Sequence, residues 1–208
     1  MYQINFLLHH LLLNIGKHHI NQVKWGGIWE APHQYSITGF EHVKTYHKMN
    51  WADSNLPQVA LPTGFKLRSF ILGEDEGKLT CIQNEAFQDN WGFCPNSEDD
   101  IHARVRFNHC DPNGILFAET GNQFAAYNWT EIKSVSGKIT GRISMTGVHP
   151  GFRKRGLGKK MLVAGMTYLS ANGASNIELE VDSENLPATK MYSSLGFETL
   201  SQGLWYEK

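Results

Sequence analysis

The stretch VHPGFRKRGLGKKML, residues 148–162, limits the folds open to this chain more than any other segment. It leaves the β-branched run KITGRISMTGV (138–148) and enters GLGKKMLVAGMTYLSANG. In the latter, Leu157, Met161, Gly165, Tyr168 and Leu169 fall on one helical face, and Asn172-Gly173 supplies a stop. A strand therefore feeds a long helix through a turn that holds Gly151, Gly156 and Gly158. Arg153, Lys154, Arg155, Lys159 and Lys160 crowd the same turn. Three readings compete for that concentration of charge: a phosphate cradle, a nucleic-acid patch, or a solvated helix start.

The rest of the chain narrows the choice. A formal net charge of −1 over 208 residues argues against a general nucleic-acid binder. Cys81, Cys94 and Cys110 are odd in number and lack CxxC spacing, so neither a disulfide framework nor a zinc site is expected, and a reducing, cytoplasmic setting is the default. The adjacent pairs His9/His10 and His18/His19 lack helical i,i+4 spacing, so no metal is expected. FLLHHLLL near the start reads as neither a signal peptide nor a membrane span.

Residues 52–63, within the proline-bearing ADSNLPQVALPTG, read as a linker. Beyond it the rhythm is α/β. FKLRSFIL (65–72) reads as a strand. EDEGKLTCIQNEAF (74–87) reads as a helix, with Leu79, Ile82 and Ala86 on one face. NSEDDIHARVRF (96–107) is a short helix capped by Asn96 or Ser97. GILFAET and QFAAYNWTEI form a hairpin across Gly121-Asn122, and 138–148 adds a third consecutive strand. NIELEV (176–181) reads as a buried strand. NLPATKMYSSLGF (185–197) is a helix with Asn185 as N-cap and Gly196 at its exit, and ETLSQGLWYEK closes as a hairpin. The expected class is α/β: a mixed, mostly antiparallel sheet flanked by helices.

The helix start after Pro150 has the physics of an anion site. First-turn N–H groups lack partners, the helix dipole is positive there, and glycines let an anion approach the backbone. The Walker pattern fails at Arg153 and Lys160, and the dinucleotide fingerprint fails at Met161. What the residues do match is R-x-x-G-x-G, at Arg153, Gly156 and Gly158. This resembles the acetyl-CoA motif of the GNAT superfamily of acyl-CoA-dependent N-acyltransferases. A second stretch, VDSENLPATKMYSSLGFE, is similar to that family's other hallmark through Asn185, Tyr192, Gly196 and Phe197. Together with NEAFQDNWGF, these segments resemble the C-terminal half of mycothiol-synthase-like tandem GNAT proteins over roughly residues 64–208. On that resemblance, residues 1–51 are the closing part of a degenerate N-terminal GNAT-like unit that lacks the cradle. Its role would be structural, covering the sheet or completing a homodimer.

The resemblance implies a function: acetyl transfer from acetyl-CoA to a primary amine by direct attack, without metal. Thr146, Gly147 and Val148 would hydrogen-bond the pantetheine arm. A backbone N–H near Val148 would stabilise the developing oxyanion. The run Arg153, Lys154, Arg155, Gly156, Leu157, Gly158 and Lys159 would hold the diphosphate. Asn185 would meet the pantetheine or fix its helix, and Tyr192 would protonate the leaving sulfur. Trp91 and Phe93 would line the acceptor site. Many relatives carry a Glu on the fourth strand, but Arg142–Met145 hold no carboxylate, so His149, Glu85 and Glu131 are the candidate bases. The acceptor is a small-molecule or peptide amine, with no nucleic-acid or membrane partner. The alternative is a non-catalytic acyl-CoA-binding or regulatory remnant of a tandem enzyme.

Overall fold

A computed structural model describes residues 26–29, 41–52, 55–58, 60–135 and 137–207. In chain order the elements are β1 (Gly26–Trp29), β2 (Glu41–Trp51), β3 (Lys66–Ser69), α1 (Glu76–Phe87), α2 (Glu98–Arg104), β4 (Ile115–Thr120), β5 (Gln123–Val135), β6 (Lys138–Val148), α3 (Leu157–Ala171), β7 (Asn176–Asp182), α4 (Leu186–Ser193) and β8 (Glu198–Glu207). Short 3-10 turns occupy Pro112–Gly114 and Pro150–Phe152. The class is mixed α/β with mostly antiparallel strands, as expected. FLLHHLLL and the histidine pairs lie outside the described residues. Among those described, no helix is long and apolar enough to cross a membrane.

The chain divides into two units. The first, Ala52–Glu178, is built on strands in the order β6-β5-β4-β3, each neighbour antiparallel. Side chains alternate across a strand, and here both faces are apolar. Ile115, Phe117, Tyr127 and Trp129 join Leu79, Ile82 and Ala86 of α1 and Ile101 and Val105 of α2 in one core. Leu116, Ala118 and Ala126 point the other way, to Leu157, Met161 and Ala164 of α3. The α1 face is the one that the periodicity predicts; α3 buries more, adding Leu162, Val163, Ala164 and Met166 to the predicted stripe, with Tyr168 only partly buried. Register slips place Ala125 on β5 and Ser144 on β6 as extra, bulged residues.

Local chemistry sets the ends. Ser97 caps α2 through the Asp100 N–H, and Asp100 returns a bond to the Ser97 N–H, a complete capping box. Gly121 turns the β4–β5 hairpin with φ 56°. Asp75, at the start of α1, is fully buried. It accepts the Ile71 N–H at 2.8 Å, an Arg68 Nη2 bond at 3.0 Å and a Lys78 Nζ bond at 2.8 Å.

The second unit joins the described residues up to Trp51 to Leu179–Lys208. Its strands run β1-β8-β2-β7. Residues 198–207 form one continuous strand, not the closing hairpin expected from Gln202-Gly203. Gly203 pairs with Trp29 on one side and Tyr46 on the other, and its φ is not positive, so no turn forms. β7 is also less enclosed than its sequence suggests: Ile177, Leu179 and Val181 are buried and the residues between them are half-exposed.

Burial works against ionisation of Asp75, but bonds from Arg68, Lys78 and the Ile71 N–H outweigh it and hold its pKa at about 2, below the ordinary 3.8. Stability from this group is full above the unfolded value and is lost as pH falls from there toward 2. The wild type should therefore lose urea resistance across pH 4 to 2. Asp75→Asn should start less stable at pH 7 and show a shallower fall in that window; an unchanged acid limb would refute the assignment.

Candidate active site: a helix entrance held open

In the Ala52–Glu178 unit, β6 delivers its last residues to the cradle segment. Gly147 is buried where α1 crosses the sheet. A Cβ there would stand 2.4 Å from the Tyr127 ring and 3.0 Å from Ala86 Cβ, so only glycine fits. Thr146 accepts a 2.7 Å bond from Asn128 Nδ2, and Val148 packs on the core beneath α3. His149 N–H then bonds to Ala125 O at 3.0 Å, closing the ladder.

From there the chain turns twice through left-handed conformations, at Lys154 (φ 63°) and Gly156 (φ 75°). Gly156 is the N-cap of α3 and offers no side-chain acceptor to its first N–H groups. A Cβ built on Gly156 meets nothing within 4 Å. The helix entrance is thus open, uncapped and bordered by the exposed bases Lys154, Arg155 and Lys159. Those are the properties of a diphosphate site. Leu157, 1% exposed, anchors the first turn in the core.

Two side chains brace this entrance. Arg153 Nη2 donates to Ala86 O at 3.0 Å, so its guanidinium caps the C-terminal turn of α1. His149 Nδ1 accepts the Gly151 N–H at 3.0 Å, which leaves its Nε2 to donate toward Glu85 Oε2 at 3.1 Å. Both ring nitrogens are engaged, and His149 acts as a strut between turn and α1. A cavity of about 220 Å³ adjoins it, bounded by Lys78, Cys81, Gln123, Phe124 and Phe152 among others. Arg155 lies over the Phe152 ring, 5.1 Å from its centroid.

The other candidates are more scattered. Glu131 is buried, 3.7 Å from His109 Nε2, and pairs across the sheet with Arg142. Trp91 (41% exposed) and the half-buried Phe93 lie in the loop between α1 and α2. Asn84 ties that loop down through the Asn96 backbone at 2.9 and 3.0 Å.

Asn185 and Tyr192 belong to the other unit, on α4. Asn185 Oδ1 accepts the Ala188 N–H at 3.2 Å, the predicted cap. Tyr192 lies beside Phe197, ring centroids 6.0 Å apart, and burial pushes its phenol up to about 12. Like any phenol, it is protonated across the neutral range. Sequence reasoning singled out the glycines, the bases and this tyrosine as candidates. It missed the Arg153–Ala86 tie and the Asn128–Thr146 bond, because both partners lie far away in sequence.

Comparison with known proteins agrees with this geometry. Residues 78–197 match the model of the acetyltransferase (GNAT) family. The chain is 32% identical over 162 residues to a mycothiol acetyltransferase from Pseudarthrobacter chlorophenolicus, covering 76% of this chain and 50% of that protein. It spans about half the length of the curated relatives it matches. Among solved structures it resembles a GCN5-related N-acetyltransferase from Sphaerobacter thermophilus, with TM-score 0.69 and 22% identity over 82% of this chain and 53% of that one. It also resembles a tandem GNAT protein from the clavulanic acid biosynthesis pathway, with TM-score 0.65 and 16% identity over 97% of this chain and 68% of that one.

The brace predicts a measurable effect. Arg153→Ala should cost about 1 kcal/mol in urea unfolding, since a charged donor leaves a helix end only partly screened from water. Lys154→Ala, equally basic in origin but untethered to α1, should cost much less. Equal losses would show that the Arg153 tie is not structural.

Proposed function

Because the chain belongs to the acetyltransferase (GNAT) family, we propose that it moves the acetyl group of acetyl-CoA to a primary amine of a small-molecule acceptor. The observation that carries this reading is the uncapped, left-handed entrance to α3 at Gly156, ringed by bases. The donor supplies an activated thioester; the rest falls to this chain. N–H groups of residues 157–159 and the charges of Lys154, Arg155 and Lys159 hold the diphosphate. The main chain of Thr146, Gly147 and Val148 holds the pantetheine arm. An N–H near Val148 meets the carbonyl oxygen as it gains charge, a contribution of about 3 kcal/mol in comparable sites. Asn185 fixes the start of α4. Tyr192, protonated at neutral pH as a phenol is, gives its proton to the departing sulfur.

The acceptor amine enters beside the α1–α2 loop, with Trp91 and Phe93 as its apolar wall. With His149 engaged as a strut, Glu85 acting through water and the buried Glu131 remain as proton acceptors. Residues 64–208 constitute the complete transferase domain, 52–63 its linker and 1–51 the closing part of a preceding unit. The double length of the relatives supports that division.

A second reading, acyl-CoA binding without turnover, is favoured by one feature: the stretch Arg142–Met145 on β6 has no carboxylate. Calorimetric titration with acetyl-CoA, followed by thiol release over an amine panel, separates the two. Binding with release supports the transferase; binding with no release on any amine supports the second reading. Gly158→Glu puts bulk and negative charge where the diphosphate is held, and should abolish acetyl-CoA binding in the calorimeter. Retained affinity would overturn the cradle. Tyr192→Phe should lower kcat at least tenfold and leave acetyl-CoA affinity within twofold; an unchanged rate removes Tyr192 from the chemistry.

A further inference from the structure

β2 lies between β7 and β8, so a strand from the first 51 residues sits between Asn176–Asp182 and Glu198–Glu207. Along most of its length β2 pairs with β8, from Glu41↔Glu207 to Asn50↔Glu198. The register slips between His42 and Lys44, leaving Val43 as an extra residue. Bulges of this kind re-aim the side chains next to them.

Lys44, directly after the bulge, is 9% exposed. Its ammonium sits between two carboxylates of the β7–α4 turn: Asp182 Oδ2 at 3.0 Å, and Glu184, which it also hydrogen-bonds. The neighbouring Thr45 carbonyl accepts the Ser183 N–H at 2.9 Å. Within the turn, Asp182 Oδ1 takes the Glu184 N–H at 3.0 Å and Asp182 O takes the Asn185 N–H at 2.9 Å. Asn185 then caps α4. An unbroken chain of bonds therefore runs from β2 through residues 182–185 to the helix that carries Tyr192. The Glu184 bond, against the opposing effect of burial and with help from Asp182, keeps the Lys44 ammonium protonated.

We propose that Lys44 is a positioning residue for acetyl transfer: by clasping Asp182 and Glu184, the N-terminal strand fixes the start of α4 and so the placement of the Tyr192 hydroxyl. This rests on the acetyl-transfer reading given above. β2, though outside residues 64–208, thereby bears on the chemistry of that domain.

The test uses the full chain with Lys44→Met, Lys44→Arg, and Glu184→Gln, which alters a mostly exposed side chain and preserves the fold. Lys44→Met should reduce kcat about tenfold or more with acetyl-CoA affinity within twofold. Lys44→Arg should recover most of the rate, and Glu184→Gln should show a smaller loss of about threefold. In a Tyr192→Phe background, Lys44→Met should add less than a twofold further loss, because the clasp acts through that tyrosine. Independent of turnover, amide exchange over residues 183–192 should accelerate at least tenfold in Lys44→Met and stay near wild type in Lys44→Arg. Unchanged exchange overturns the clasp. Faster exchange with an unchanged kcat, or multiplicative losses in the double variant, overturns its role in positioning. If the wild type transfers acetyl to no amine, the acetyl-transfer reading fails and the positioning role fails with it, while exchange still decides whether the clasp exists. Should Lys44→Met not fold, Glu184→Gln carries the same comparisons.

Discussion

The exit from β6 governs the cradle. A strand must become a helix within eight residues, His149 to Gly156, and no side chain caps the helix it starts. The chain manages this with two left-handed residues, Lys154 and Gly156. Glycine adopts that conformation freely; a lysine held there costs on the order of 1 kcal/mol. Such a turn persists only if its surroundings hold it. Burial of Leu157, worth about 2 kcal/mol, pulls the first helical turn onto the sheet. Arg153 and His149 tie the turn to α1 at Ala86 and Glu85. These contacts lie behind or beside the entrance, and no side chain caps its N–H groups. In the proposed reading, an anion would supply what a capping side chain otherwise provides.

This arrangement explains which parts of the molecule were legible in the sequence. Features fixed within a few residues were readable: the α1 stripe of Leu79, Ile82 and Ala86, the Ser97 cap, the Gly121 turn, the Asn172-Gly173 stop and the Asn185 cap. Each depends on periodicity or on a dihedral that one residue type favours. Failures came where a distant partner overrides the local signal. Gln202-Gly203 has the composition of a turn, yet Gly203 stays extended because strands from near residues 29 and 46 pair with it on both sides. Arg153 reads as one more base in a basic run, and only the carbonyl of Ala86, 67 residues earlier, shows it to be a brace. The same holds for His149, a base candidate in the sequence and a strut in the fold.

The two parts of the proposed machinery therefore differ in how they are built. The cradle is almost wholly local: residues 146–159 contain its glycines, its charges and its anchor. The start of α4 depends on chain more than a hundred residues away, since Lys44 reaches Glu184 across 140 positions. Nor is that contact best understood as a device for stability. Lys44 is largely removed from water, which opposes its charge, while Glu184 stays mostly exposed, so solvent screens part of the pair's attraction. A methionine of similar length would fill the same space without that cost. What the ion cluster provides, and an apolar contact would not, is direction: one nitrogen, two carboxylates and a backbone carbonyl admit a single register of β2 against the turn at residues 182–185. If α4 presents the Tyr192 phenol as proposed, it needs that kind of fixed start more than it needs extra stability.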